Sequence, residues 1–455
     1  MKKHWPFLLL VLLHLFFLFN LQFTAWPEMV SYPYLVTHGF KIYSDFIHPY
    51  PPVLTFLLAA VFKSFGFSLI NLKLVSWILI CLNDLLIYLI VSKLTKNKIQ
   101  AMLAVLLYIL TQPFLEGNML WFDMAIVTPV LAGILFLLKK ENLRNLALSG
   151  LFFALAVFIK QTAALLVVVA FIYLLVKSKK LKSIFVFLTP GLILGLVFLS
   201  YLLSTQQFQD FFNWNLVYPF TYWNKFPDYV QMGITKFQFL VVALLTTPLV
   251  LLIFKNLKTL TREGVFMLML LLMALVMIYP RFSFFHFQLA LALITITFAY
   301  LTTSIRYKYY LYTIYIVIIL VSIVRLGIDR TWGLQARFWT TTDLKLAYDI
   351  KQISNNKSIY LLGPSSSLYV YSDLLPPKPW TDNFGWYLEL PNVQEEIIAG
   401  WENDPAEYVF WQQPQLGNWY DLATYQPRQI TDWIKTNYTN IGNLDENIQI
   451  WKIKN

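Results

Sequence analysis

From Trp5 onward, apolar runs of about 16 to 22 residues follow one another until near Arg325, and this repetition constrains the fold more than any other feature. A helical run of that length, allowing for tilt, crosses about 30 Å of hydrocarbon. Of the 455 residues, 58% are hydrophobic and 13% charged, which no soluble globular composition approaches. The runs therefore predict an all-α polytopic membrane protein. The opening segment "MKKHWPFLLLVLLHLFFLFNLQF" lacks a small-residue cleavage site and reads as an uncleaved first span with Lys2 and Lys3 in the cytoplasm.

Charge orients the runs. Residues 1–325 carry 25 Lys/Arg against 9 Asp/Glu, a positive-inside excess that gives no reason to invoke nucleic acid. Basic clusters lie at Lys2 and Lys3, Lys93 to Lys98, Lys139 to Arg144, Lys177 to Lys182, Lys255 to Arg262, and Arg306 to Lys308. If all face the cytoplasm, an even number of crossings separates each neighbouring pair. Two places strain that rule. The apolar stretch 145–176 has to be a hairpin, with its tip near Lys160 at the outer surface. Of the three runs between Lys3 and Lys93, the run 52–67 is the shortest, carries Lys63 and begins at Pro51-Pro52, so it is expected to lie at the outer interface. About eleven transmembrane helices result, plus outer juxtamembrane helices.

The expected domains are a membrane domain over 1–325, with a first outer loop at 24–71, and an extracytoplasmic α/β domain over 326–455. The latter region holds 10 Lys/Arg against 15 Asp/Glu. Its segments "KSIYLLG", "EYVFWQQ" and "NIQIWKIK" read as strands, and "RQITDWIKTNY" as an amphipathic helix. No repeat at a solenoid period is visible. Cys81 is the one cysteine, so no disulfide forms within the chain. The sequons at Asn356 and Asn437 are weak matches of a kind that arises by chance.

In this topology the polar residues beside apolar segments collect on the outer face: Glu28, Asp45 and His48, then Glu116, Asn118 and Asp123, then Lys160, Arg281 and His286. Ionisable groups near hydrocarbon are costly unless paired or functional. Loop carboxylates are suited to general-base work, and Lys160, Arg281 and His286 to holding a lipid phosphate. Each also has a plainer reading. Glu28 and Asp45 read equally as solvated loop acids, Lys160 and Arg281 as snorkelling residues, His286 as part of an aromatic belt, and Asp123 as a helix-terminal acid. Asp84, in mid-span, reads as a bond to a neighbouring helix.

Three stretches, taken in order, resemble the GT-C superfamily of polytopic glycosyltransferases, the class of protein mannosyltransferases, aminoarabinose transferases and Rgt-like galacturonosyltransferases. "WPEMVSYPYLVTHGFKIYSDFIHPYPPVLTFLLAAVFKSFG" is similar to the first loop of that class, "SGLFFALAVFIKQTAALLVV" to its Gly-rich helix ending in Lys-Gln-Thr, and "YPRFSFFHFQLALAL" to its late Arg and His. The resemblance implies a polyprenyl-phosphate-linked sugar donor, an envelope glycan, lipid or protein acceptor, and inversion at the anomeric carbon. It implies a location in the plasma membrane, with the active site outside. Glu28 matches the first-loop acid and Asp45 the second; "WPE" stands where an Asp-Glu pair is commoner, and the base is one of these two. Lys160 and Arg281 with His286 match phosphate-side positions, and His48, Asn118 and Asp123 are expected to bind substrate beside them. Some members use a divalent metal, for which Asp123 with Asn118 are the candidates here, and others use none. A transporter or lipid-linked-sugar flippase is the alternative from another class. An inactive sugar-lipid-binding protein on the same scaffold is a third.

Overall fold

A computed structural model describes residues 5–178, 180–226, 229–412 and 427–454. Lys2, Lys3 and Lys179 of the basic clusters lie outside the described residues. The chain divides into two compact units, each assembled from separated segments: residues 1–24, 72–200 and 230–335, and residues 25–71, 201–229 and 336–455.

The first unit is helical. A helix lies at the position of each expected span, and five have the length and apolarity to cross a membrane: Leu69–Thr95, Gln161–Ser178, Leu181–Ser204, Lys236–Thr259 and Lys308–Thr331. Shorter apolar helices include Trp5–Asn20, Lys98–Ile109, Phe122–Leu138, Leu143–Ile159 and Gln288–Ser304. This is an integral membrane protein. The charged loops carry the punctuation that starts these helices. The Asn97 side chain accepts from the Ile99 and Gln100 amides, Asn142 from the Asn145 amide, and Thr261 from the Gly264 amide. Each satisfies donors that a helix start leaves unpaired. Helix Gln288–Leu301 is buried along nearly its whole length against Lys98–Ile109, Lys236–Asn256 and Arg262–Val276, as its all-round apolar composition requires. Leu181–Ser204 instead exposes Leu181, Phe185, Leu192 and Leu196, a surface suited to lipid.

The stretch 145–176 breaks at Lys160, whose backbone is extended (φ −146°, ψ 118°), so that two helices replace one overlong run.

The second unit holds nearly all of the segment expected as the first outer loop. Helix Glu28–Thr37 packs on Val53–Phe65, the segment expected not to cross. Thirteen residues extend only about 20 Å, short of the hydrocarbon thickness. Pro52 precedes its first turn, where a missing N–H costs nothing, and Gly66 ends it at φ +88°, a region open to glycine.

The same unit contains a four-stranded sheet of order β1-β2-β4-β3. Strand β1 (Ile359–Leu362) pairs in parallel with β2 (Tyr408–Gln412), and β4 (Ile448–Ile453) runs antiparallel to both β2 and β3 (Tyr438–Asn443). β1, β2 and β4 occupy the three segments expected as strands, and helix Arg428–Asn437 the expected amphipathic segment. β3 has no apolar alternation to announce it: after Tyr438 it is exposed, and it bulges between Asn440 and Gly442, as a protected edge strand does.

Candidate functional site

In the first unit, three of the expected residues meet. The Lys160 ammonium donates to Asp123 Oδ1 at 2.6 Å, and His286 Nδ1 donates to Asp123 Oδ2 at 2.9 Å. Asp123 comes from the first turn of Phe122–Ala125, Lys160 from the break between two helices, and His286 from the segment before Gln288–Leu301. The Asp123 side chain is buried, and the ions of such a pair need one another because neither has water. Because a carboxylate only accepts, the His286 ring is held with its proton on Nδ1. Among the described residues, Nε2 of His286 and two of the three Lys160 N–H bonds have no protein partner. The two free Lys160 N–H bonds are what an anion would engage.

Beside this cluster the chain is tightly shaped. Glu116 adopts φ +52°, an uncommon conformation for a side-chain-bearing residue, and its carboxylate accepts from the Phe285 amide at 3.3 Å. Arg281 is half-buried, in a segment paired with Gln231 through the Phe282 amide and the Pro280 carbonyl.

Asn118 is spent on backbone. Its amide donates to the Leu18 and Leu21 carbonyls at 2.9 Å each, and its oxygen accepts from the Trp77 indole at 3.0 Å. With Asn118 so used and both Asp123 oxygens taken by Lys160 and His286, the two do not fit a divalent-metal site. Among the described residues no three His, Cys, Asp or Glu side chains converge.

Asp84 has a structural task. His14 bonds Asp84 through Nδ1 at 2.8 Å and Gln112 through Nε2 at 3.0 Å, and the Gln112 amide donates to the Gly117 carbonyl at 2.8 Å. This chain ties helices Trp5–Asn20 and Leu69–Thr95 to the 113–118 turn.

The remaining expected residues belong to the second unit. Asp45 is held: Lys378 Nζ donates to its Oδ2 at 2.7 Å, the Lys41 amide donates to the same oxygen at 2.9 Å, and the Trp380 amide donates to its carbonyl at 2.8 Å. His48 is fully buried, donating from Nδ1 to the Tyr50 carbonyl at 2.6 Å. Its Nε2 therefore accepts from the Thr55 hydroxyl, at 2.7 Å. Burial lowers its pKa to about 3, so the ring is a neutral clamp between the proline-rich loop and helix Val53–Phe65.

Glu28 differs from both. It is 2% exposed, and neither carboxylate oxygen has a hydrogen-bond partner. Burial, and then the charge of Asp382, push its pKa well above the usual carboxylate range. Asp382 is itself fully buried and pushed up to about 6 by burial. Sequence reasoning did not single out Asp382. Its one local signal is an acid among aromatic and proline residues in "LPPKPWTDNFGW", a pattern that looks like any turn.

Solved structures sharing this architecture identify it. ArnT from Cupriavidus metallidurans bound to undecaprenyl phosphate superposes with a TM-score of 0.58 at 11% identity, over 99% of this chain and 98% of that one. Its apo form gives 0.57 at 10% identity, over 98% and 96%. The chain thus has the GT-C fold of these structures. The oligosaccharyltransferase of Archaeoglobus fulgidus, solved with a tethered acceptor peptide, matches at 0.57 and 10% identity over 100% of this chain and 74% of that one. The family model for dolichyl-phosphate-mannose-protein mannosyltransferase matches residues 48–204 of the chain. That range contains Asn118, Asp123 and Lys160. No curated protein matches the chain.

Proposed function

We propose that this GT-C protein is a membrane glycosyltransferase that moves a sugar from a polyprenyl-phosphate-linked donor to an envelope glycan, lipid or protein acceptor on the outer face, with inversion. The observation that carries this reading is Glu28. It is a buried carboxylate in the first turn of helix Glu28–Thr37 without a hydrogen-bond partner, its proton affinity raised by burial, in a chain whose fold extends over nearly all of a protein solved with undecaprenyl phosphate.

A general base must accept a proton at working pH, and desolvation is the usual way to tune a carboxylate for that work. Asp45 is the weaker candidate, because its Oδ2 already accepts from Lys378 and from the Lys41 amide. In the proposed reaction an acceptor hydroxyl gives its proton to Glu28 while its oxygen bonds the anomeric carbon. The bond from that carbon to the phosphate oxygen breaks, and its electron pair leaves with the polyprenyl phosphate. One in-line displacement inverts the centre. By resemblance Lys160 and Arg281 with His286 match phosphate-side positions, and the free donors on Lys160 support that role. His48 and Asn118 hold the backbone in place, while Asp123 orients Lys160 and His286. Charge parity of the basic loops supports a cytoplasmic N-terminus, an outer active site and an extracytoplasmic C-terminal domain.

Mass spectrometry of cell-envelope glycolipids and glycoproteins, with the protein present, absent, or replaced by Glu28→Gln, tests the proposal. One glycan is expected to disappear in the second and third cases. An unchanged profile in both removes the proposal.

A further inference from the structure

Helix Glu28–Thr37 places Glu28 and Ser31 three positions apart, on one face. Ser31 and Ser366 lie hydroxyl to hydroxyl at 3.2 Å, and Ser366 donates to Asp382 Oδ2 at 3.0 Å. A serine hydroxyl has one proton to give, so Ser31 donates to Ser366, and the chain of donors runs toward Asp382. The other oxygen, Oδ1, accepts from the Asn383 amide at 2.8 Å. Ser31, Ser366 and Asp382 are all buried.

The two acids are thus treated differently. Asp382 has a donor on each carboxylate oxygen, and Glu28 has none. The groups within electrostatic reach of Glu28 are Asp382, Tyr32 on its own helix and Tyr387 on Gly385–Leu388. Those in reach of Asp382 add Tyr360 on β1 and Tyr369 on Ser367–Ser372, and Tyr50 of the loop faces Tyr32 and Tyr387. Among the described residues, no basic side chain is one of these groups. Two like charges in one dry space cannot both persist, and hydrogen bonds to a carboxylate favour its ionised form.

We propose that Asp382 is a positioning residue that holds the ionised place in a buried pair of acids and thereby keeps the shared proton on Glu28 in the resting protein. The proton on Glu28 leaves to solvent before the base can take another from an acceptor. Only that last step rests on the reading of Glu28 as the base; the pairing does not.

Difference infrared titration of the purified full-length chain in lipid nanodiscs, following the C=O stretch of protonated carboxylic acids, tests the pair without reference to activity. Glu28→Gln is expected to lose one such band at neutral pH. Asp382→Asn is expected to keep that band and lower its titration midpoint by about one unit or more, because the repelling charge is gone. If Asp382→Asn does not fold, Ser366→Ala withdraws one donor from Asp382 and is expected to displace the band as the proton redistributes. Bands unmoved in the variants that fold overturn the proposal. In transfer assays, Asp382→Asn is expected to shift the acid limb of kcat to lower pH with KM preserved. If the band moves as expected but Glu28→Gln still transfers sugar, the pair stands and the base assignment falls.

Discussion

Lys160 reaches Asp123 at 2.6 Å from a point where the chain leaves one helix and has not yet entered the next, and the side chains of both are almost wholly out of water. The extended backbone at Lys160 is what aims the ammonium inward. Removing one member of a buried pair strands the other charge, which typically costs about 3–5 kcal/mol, whereas replacing both is often near neutral. Lys160→Met and Asp123→Asn are each expected to lower unfolding stability by that order, and the double variant to recover much of it. A double-mutant cycle from denaturant unfolding in detergent checks the coupling.

Glu28 and Asp45 stand seventeen positions apart in one loop, yet their environments predict opposite outcomes. Glu28→Gln removes a buried acid with no hydrogen-bond partner, so the fold is expected to hold while transfer falls by about 10²–10⁴, the usual worth of a general base. Asp45→Asn weakens a part-exposed pair with Lys378, worth about 0–1 kcal/mol. Its transfer rate is expected to stay far closer to that of the unaltered protein. Paired measurements of turnover and thermal unfolding separate the two.

His48 carries a pH signature. Its folded pKa of about 3 lies below the ordinary value of 6.5, so as pH falls below about 6.5 the unfolded chain takes up a proton that the folded one refuses. Stability is therefore lost as pH falls from about 6.5 toward 3, by up to about 1.4 kcal/mol per unit within that window. The Glu28 and Asp382 pair acts with the opposite sign. Its raised affinity favours the folded state at low pH, and that contribution is lost as pH rises through about 6, the Asp382 value. Comparing pH-dependent melting of His48→Gln with that of Asp382→Asn isolates the two slopes, one of each sign.

The membrane helices were legible because hydrocarbon forces long apolar runs, and the break at Lys160 was legible because a charge in mid-run must find an exit or a partner. That the partner is Asp123 was not: both were placed on one face, but pairing across 37 positions is decided by packing. Asp382 lies still further from view, since nothing local to "WTDNF" tells of Glu28 more than 350 positions earlier. His48 and Asn118 show the converse. Their residue types fit a site, but His48 spends its ring on the nearby Tyr50 carbonyl and Thr55 hydroxyl, and Asn118 its amide on the Leu18 and Leu21 carbonyls, which only the folded chain brings near.

Gly150, in the stretch "SGLFFALAVFIKQT" that carried part of the family resemblance, makes a packing prediction of its own. A Cβ there runs into the Phe187 carbonyl oxygen, a backbone atom of the facing helix Leu181–Ser204 that cannot swing aside. The helices Leu143–Ile159 and Leu181–Ser204 approach this closely because the position has no side chain. Gly150→Ala must push them apart, and overpacking of this kind costs about 1–3 kcal/mol. Gly195, on the facing helix, is the internal control, since a Cβ there meets nothing within 4 Å. Gly195→Ala is expected to gain about 0.5–1 kcal/mol through reduced backbone entropy loss. Thermal unfolding of both variants in one detergent compares them directly; equal melting temperatures would mean that the two helices do not pack at Gly150.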